Sequence, residues 1–143
     1  MNNLKFKSAL YAAVQRNGSD KWIDLGFLCD KCVTNAGVDW LAGGGSLYNL
    51  TMHKTGTGAT APSPWDTDME GEAGSGTGTV TIGSSPNIIV CTGVITYSGN
   101  YSIVEHGIFC GSVLWDRSIF DAYTIHCGDK YRWTYQLTIL SGG

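Results

Sequence analysis

The sequence predicts a mainly β protein: an antiparallel β-sandwich of jelly-roll type with one short helix, built as a single domain over residues 1–143. Three observations predict this class. Short apolar and aromatic segments recur at a spacing of roughly 8 to 12 residues, which is typical of sandwiches. Charged residues make up only 15% of the chain, while glycine contributes 20 residues and favours many turns. No series of alternating helices accompanies the segments, which argues against a parallel α/β sheet.

The first 28 residues predict an N-terminal arm followed by a strand. Residues 3–14 mix alternation with small side chains, so the pattern fits either a strand or an arm, and we expect an N-terminal arm over about residues 1–14. Asn17-Gly18 marks a turn. Residues 21–28 are apolar and aromatic over a short stretch, which predicts a strand.

One helix is predicted over about residues 30–42. Apolar or small side chains occur there at positions 32, 33, 36, 37, 40 and 41, a spacing that places them on one face of a helix. Asp30 is suitably placed to cap the first turn, and the three glycines at 43–45 end the helix.

A long Gly/Thr-rich loop is predicted over about residues 55–79, after a strand at 47–52. The segment has neither strand nor helix periodicity, and loops of this length are usually functional or ordered by a partner. Trp65 lies in its middle with few apolar neighbours in the sequence. Its indole therefore either returns to the core as an anchor or docks on another subunit.

The C-terminal half consists almost entirely of predicted strands. Segments at 88–97 and 101–109 form a hairpin, and segments at 113–120 and 123–126 follow. The last segment has the clearest pattern, because its apolar residues alternate with polar ones and predict a strand with one buried aromatic face. These apolar residues are Tyr131, Trp133, Tyr135, Leu137 and Ile139.

Composition and charge exclude several function classes. The net charge is −3, and the nine basic residues are scattered between Lys5 and Arg132 without forming a basic patch, so we expect no nucleic-acid partner. No apolar run approaches the roughly 18 residues of a membrane span, and the N-terminus lacks the apolar core of a signal peptide. We therefore expect no membrane association.

The five cysteines leave three alternatives open. Cys29 and Cys32 have the C-x-x-C spacing of a zinc knuckle or a redox site, but the sequence offers no second pair at knuckle spacing. Unmodified thiols, a metal site and disulfide formation outside a cell are the three alternatives. We expect unmodified thiols, with no metal and no cofactor.

No catalytic constellation emerges from the remaining polar residues. The three histidines form no spaced triplet. The acidic residues at 66, 68, 70 and 72 alternate in a way that resembles calcium ligation, but this spacing alone does not supply the geometry of a calcium loop, and we expect a solvated or inter-subunit acidic loop instead. The sequence has neither a nucleophile elbow nor a phosphate-binding lysine after its Gly-Thr-Gly run. We therefore expect no catalytic residue. Glu105 lies in an apolar strand and needs a cationic partner, which Arg117 on the next segment provides as a structural ion pair.

Three C-terminal segments resemble tailed-bacteriophage virion structural proteins. Residues 101–109, Tyr-Ser-Ile-Val-Glu-His-Gly-Ile-Phe, are similar to the family's strand pattern I-x-E-x-G-[LI]-F. Residues 113–120 are similar to its pattern L-x-[DA]-R-x-x-F. Gly128-Asp129 and the alternating strand that follows resemble the closing pattern G-D-x-[IL]-x-[FWY]-x-[YW]-x-[LF]-x-[IV].

The resemblance extends upstream in the same order and covers about residues 30–143. Residues 55–72 are similar to the family's Gly-Thr-Gly…Ala-Pro…Asp-Thr loop, and residues 33–41 fit the helix before that loop. The chain departs from the family at its cysteines, at Trp115, and in lacking an arginine after Glu72.

The resemblance implies a virion structural protein, assembled in the host cytoplasm. Within that class we expect a capsid decoration (cement) protein that binds the outer shell and ties neighbouring capsomers together. A tail or fibre-attachment component is the alternative from the same particle. A carbohydrate-binding module is the alternative from another class, with sugars stacked on indoles at Trp22, Trp65, Trp115 and Trp133.

The expected partners are the major capsid protein and further copies of the chain, as a homo-oligomer on the particle. Four apolar residues are the expected contacts: Leu4, Phe6 and Tyr11 from the arm, and Trp65 from the loop.

Overall fold

The computed structural model describes residues 3–30 and 32–142, with side chains for 5–30 and 32–141. The elements in chain order are β1 (Asn3–Gln15), β2 (Ile23–Asp30), β3 (Cys32–Val33), α1 (Asn35–Ala42), a 3₁₀ turn (Leu47–Asn49), β4 (Met52–Gly56), β5 (Glu72–Thr77), β6 (Thr79–Ile82), β7 (Ile88–Thr96), β8 (Tyr101–Cys110), β9 (Val113–Ile125) and β10 (Lys130–Gly142).

The strands form two antiparallel five-stranded sheets. Sheet A has the order β2-β1-β10-β7-β6, and sheet B has the order β3-β9-β8-β4-β5. The predicted fold class, a mainly β antiparallel sandwich with one short helix, is confirmed.

The core lies between the two sheets. Alternate side chains of β10 point inward, and Tyr131, Trp133, Tyr135 and Leu137 are all fully buried. These residues belong to two apolar clusters, each of which contains side chains from both sheets. The aromatic face that the sequence predicts for the last strand therefore packs against sheet B.

The N-terminal arm predicted over residues 1–14 is wrong for residues 3–14, which lie in a central strand. β1 pairs with β10 along its whole length and with β2 on its other side. The small residues that weakened the sequence pattern are part of the packing, because Ala12 is buried in the same cluster as Leu10 and Val14. Residues 1 and 2 of the predicted arm lie outside the described residues.

The helix begins later than its predicted start at residue 30. Asp30 ends β2, and Cys32–Val33 pair with β9 instead of forming a helical turn. Thr34 is the cap: its Oγ1 accepts a hydrogen bond from the amide of Gly37 at 2.9 Å and donates to the Leu114 carbonyl at 2.6 Å. No helix within the described ranges is long and apolar enough to span a membrane.

The predicted loop over residues 55–79 is shorter in the structure. Residues 72–77 and 79–82 form β5 and β6, one at the edge of each sheet, so the loop proper comprises residues 57–71. β5 is rich in Gly, Ser and Thr and has no strand periodicity, and it is held by pairing with β4. β6 has Thr at two of its four positions and pairs with β7. The strand predicted at 47–52 is a 3₁₀ turn followed by the start of β4.

Candidate functional site

The loop at residues 57–71 lies on the outer face of sheet B. His106 of β8 points inward, where its ring contacts Trp133 of sheet A at a centroid distance of 5.4 Å. Gly107 therefore points outward, since side-chain directions alternate along a strand. A methyl group on Gly107 would lie 2.7 Å from Sδ of Met69, so the loop packs directly on this face.

Glu105 ties both ends of this loop to the sheet. Its side chain is fully buried, and Oε1 accepts hydrogen bonds from the amides of Gly58 at 3.1 Å and Gly71 at 2.7 Å. Oε2 accepts a third, from the amide of Glu70 at 3.2 Å. Hydrogen bonds to a carboxylate are stronger than neutral ones, so one side chain fixes the start and the end of the loop.

Arg117 forms the ion pair expected with Glu105 and also holds the middle of the loop. Its Nε donates to Oε2 of Glu105 at 2.7 Å, while Nη1 donates to the Thr60 carbonyl at 3.1 Å and to Oδ2 of Asp66 at 3.2 Å. Arg117 is 2% exposed. The β8–β9 register sets it opposite Gly107, diagonal to Glu105 on the same face. Sequence analysis missed Asp66 as the third member, because no local pattern relates it to Arg117.

The clamped loop presents Trp65 to solvent. The side chain is 81% exposed, so the anchor alternative from the sequence is wrong and the indole does not return to the core. A tight turn holds its backbone: the Trp65 amide donates to Oγ of Ser63 at 3.2 Å, and the Asp66 amide donates to the Ser63 carbonyl at 3.0 Å. Docking of Trp65 on another subunit stays a prediction.

An acidic pocket of about 330 Å³ adjoins the indole. Its lining comprises Thr60, Trp65, Asp66, Thr67, Asp68, Glu70 and Arg117. Hydrogen bonds from Thr60 to Glu70 lower the pKa of that carboxyl group, so it is ionised at neutral pH. The pocket therefore combines an exposed aromatic ring with fixed negative charge.

The other predicted contact residues lie elsewhere. Phe6 is partly buried and packs edge-on against Trp115 at 5.3 Å, in the second core cluster. Tyr11 is on the outer face of sheet A, where it packs against Phe27 at 5.9 Å. Leu4 pairs with Ser141 in the β1–β10 ladder, and its predicted side-chain contact lies outside the described side chains. The structure thus brings neither Phe6 nor Tyr11 together with Trp65.

Two of the four tryptophans expected to stack on sugars are inaccessible to a ligand. Trp115 and Trp133 are fully buried and are unable to stack on a ligand. Trp22 is partly buried beneath the guanidinium of Arg132, which lies 4.7 Å from the indole centroid. Trp65 is thus the one of the four whose ring is mostly exposed.

Buried polar clusters between the sheets were not foreseen from the sequence. Oδ2 of Asp116 accepts hydrogen bonds from Ser8 at 3.1 Å and from Tyr135 at 2.8 Å, joining the two sheets. Burial raises the pKa of Tyr135 far above its usual range, so its hydroxyl stays protonated and donates. Nδ1 of His53 lies 3.0 Å from Nε2 of His106 in a second buried contact. These groups stabilise the interior, whereas the loop faces outward.

The comparisons with known proteins provide no family for this chain. No family model, curated protein or solved structure matches it. Among the described residues no group of three His, Cys, Asp or Glu side chains is arranged to hold a metal ion. Among the described residues, the clamped loop presents the most exposed large apolar side chain, Trp65.

Proposed function

We propose that this chain is a bacteriophage virion structural protein, specifically a decoration (cement) protein that attaches to the outer surface of the capsid shell through the Trp65 loop. The single observation that carries the proposal is the 81% exposure of Trp65 on a loop fixed by the buried Glu105–Arg117 pair. Aromatic side chains dominate binding energy at protein interfaces. A loop that is already ordered loses little conformational entropy when it docks.

The proposed class rests on the resemblance of several motifs, in their order along the chain, to those of tailed-phage structural proteins. Glu105, Arg117 and the Asp66-Thr67 pair of the loop fall within those motifs, and the first three side chains form the clamp. The motifs thus correspond to a loop that is held rigid for contact. A decoration protein stabilises a shell by mass action, because it binds the assembled state preferentially.

We propose that neighbouring copies on the particle contact each other through the edge strands of sheet A, β2 and β6. Ile23 and Phe27 on β2 are 54% and 55% exposed, and Ile82 on β6 is 48% exposed. Both strands are the edges of this sheet, where exposed apolar side chains and unpaired backbone favour association. The proposed homo-oligomer therefore joins neighbouring copies edge to edge.

The test is a pelleting assay with expanded, protein-free capsids and, in parallel, purified tails. We expect saturable binding to capsids, and a loss of at least about tenfold in affinity for Trp65→Ala, the effect of a hot-spot residue. Tyr48→Ala is the matched control, because Tyr48 is a 53% exposed aromatic residue outside the loop. Binding to tails alone would replace decoration with the tail or fibre-attachment alternative.

Absence of binding to either particle would reject the virion proposal. A glycan titration followed by Trp65 fluorescence then tests the sugar-binding alternative. Quenching in the wild type that disappears in Trp65→Phe would support it.

A further inference from the structure

The carboxylates beside Trp65 are not balanced by basic side chains. The sequence contains no lysine or arginine between Lys54 and Arg117. Lys54 pairs with Glu72 at 3.2 Å, and Arg117 is engaged by Glu105 and Asp66. Within the described residues, Asp68 and Glu70 therefore have no salt-bridge partner, although both line the pocket beside the indole.

Both carboxylates are held in place by the loop itself. Oδ1 of Asp68 accepts from the amide of Met69 at 2.8 Å, and Oε1 of Glu70 accepts from the amide of Thr60 at 3.1 Å. The Glu70 backbone is in turn bound to the clamp residue Glu105. A guanidinium group stacks on an aromatic ring and pairs with carboxylates at the same time. The fixed carboxylates beside the Trp65 indole therefore suit a guanidinium ligand.

A second, independent feature indicates a peptide rather than a bare cation. Arg117, 2% exposed, lines the same pocket, and its Nη2 has no hydrogen-bond acceptor among the described residues. A buried donor without an acceptor is costly, and a ligand that supplies one removes the cost. Backbone carbonyl oxygens of a peptide are acceptors of that kind, whereas a bare metal ion offers no acceptor to Nη2.

We infer that the pocket beside Trp65 binds an arginine side chain presented by an extended segment of the partner protein. The guanidinium stacks on the Trp65 indole and pairs with Asp68 and Glu70, while the peptide backbone faces Arg117. This inference rests on the proposed function, since it names the chemistry of the partner surface that the loop recognises.

The experiment uses the ¹⁵N-labelled full chain titrated with acetyl-Gly-Arg-Gly-amide, followed by two-dimensional NMR. We expect saturable shifts of the Trp65 indole N–H signal and of the Thr60 and Glu70 amides. Acetyl-Gly-Glu-Gly-amide should leave these signals unchanged. Equal shifts with both peptides, or no shift with the arginine peptide, would overturn the inference.

Variants locate the binding site without disturbing the clamp. Asp68→Asn combined with Glu70→Gln keeps the hydrogen-bond acceptors and removes the charge, and it should weaken binding about fivefold. Trp65→Leu should weaken it to a similar extent, about fivefold, through loss of the cation–π contact. Asp121→Asn is the control, because Asp121 is an exposed carboxylate of β9 outside the pocket. An unchanged affinity in both pocket variants would contradict the proposed site.

The pelleting assay separates this inference from the proposed function. If Trp65→Ala loses capsid binding while the arginine peptide shifts nothing, the decoration function stands and the arginine site is rejected. If the peptide binds at Trp65 while capsids and tails bind nothing, the arginine site stands and the virion function is rejected.

Discussion

The two outer faces of the sandwich are built differently. On sheet B the loop at residues 57–71 covers the strands, and beneath it lie the fully buried carboxylate of Glu105 and the guanidinium of Arg117. The outer face of sheet A has no such cover. Neighbouring strands pair there at Tyr11 of β1, Thr134 of β10 and Thr92 of β7, and each of these residues is only partly buried. The arginine on this face, Arg132, stacks on Trp22 at the surface.

The difference shows how one chain makes one face of the sandwich rigid and leaves the other open. A charge buried beneath a loop is stable only if it is paired with an opposite charge, so the Glu105–Arg117 pair specifies one loop position. A polar, half-exposed face needs no cover and imposes no such demand. Substitutions on the covered face should therefore cost far more than matched substitutions on the open one.

The largest effect is expected for Arg117→Ala. It leaves the buried Glu105 carboxylate without its cation, and the free energy of unfolding should fall by roughly 3–5 kcal/mol. Arg132→Ala, the matched change on sheet A, should cost less than about 1 kcal/mol. Urea unfolding of both variants measures the difference, and similar losses would mean that the covered face has no special role.

A double variant sharpens the same test. Glu105→Gln together with Arg117→Met should cost less than the sum of the two single changes, because neither residue then leaves a buried charge unpaired. Additive losses would indicate that the two side chains stabilise the fold independently.

A second, smaller effect is expected for Gly56→Ala. An added methyl group would overlap both the Gly71 carbonyl and Oε1 of Glu105, so the loop end must move. We expect a loss of about 1–3 kcal/mol and faster hydrogen exchange at the Gly58 and Gly71 amides. Thr92→Ala on the open face should change stability by less than about 0.5 kcal/mol. Unchanged exchange in Gly56→Ala would show that the loop end tolerates the displacement.

Asp129 is a second buried carboxylate, and its hydrogen-bond partners lie outside the loop at residues 57–71. Burial opposes its ionisation, but the amides of His126 and Asn17 and the guanidinium of Arg16 outweigh burial and hold the pKa of Asp129 below the usual aspartate range. Its contribution to stability is therefore present above about pH 4, the ordinary aspartate pKa, and is lost as pH falls through the lower folded-state pKa.

Asp129→Asn should thus lower the free energy of unfolding at pH 7 by about 1–2 kcal/mol and reduce the slope of stability against pH in the acid range. Urea midpoints measured from neutral to acid pH for the variant and the wild type provide the comparison. An unchanged acid slope would show that Asp129 does not control it.

The smallest effect on stability is expected for the residue that we propose matters most for binding. Because Trp65 is 81% exposed, Trp65→Ala should change the free energy of unfolding by less than about 0.5 kcal/mol. Trp133→Ala, in the fully buried core, should cost about 3–5 kcal/mol. A large loss in Trp65→Ala would show that the indole packs on the loop rather than serving a partner.

Much of the fold followed from residue patterns. The alternation in β10, the hairpin of β7 and β8, and the small number of charges predicted an antiparallel sandwich correctly. The same patterns failed for β1, β5 and β6, whose small or polar residues become strands only through pairing with neighbours. At the site, charge in an apolar strand predicted the Glu105–Arg117 pair, whereas Asp66 and the loop amides had no signal in the sequence.

The sequence by itself determined that β10 is a strand with one buried face, because alternation is a local property of the chain. It also determined that a carboxylate inside such a segment requires a cation nearby. The tertiary structure alone decided that β1 is central, that Glu105 holds both ends of one loop, and that Trp65 faces solvent. These outcomes depend on register and packing between residues far apart in the chain, and such long-range pairings leave no local pattern.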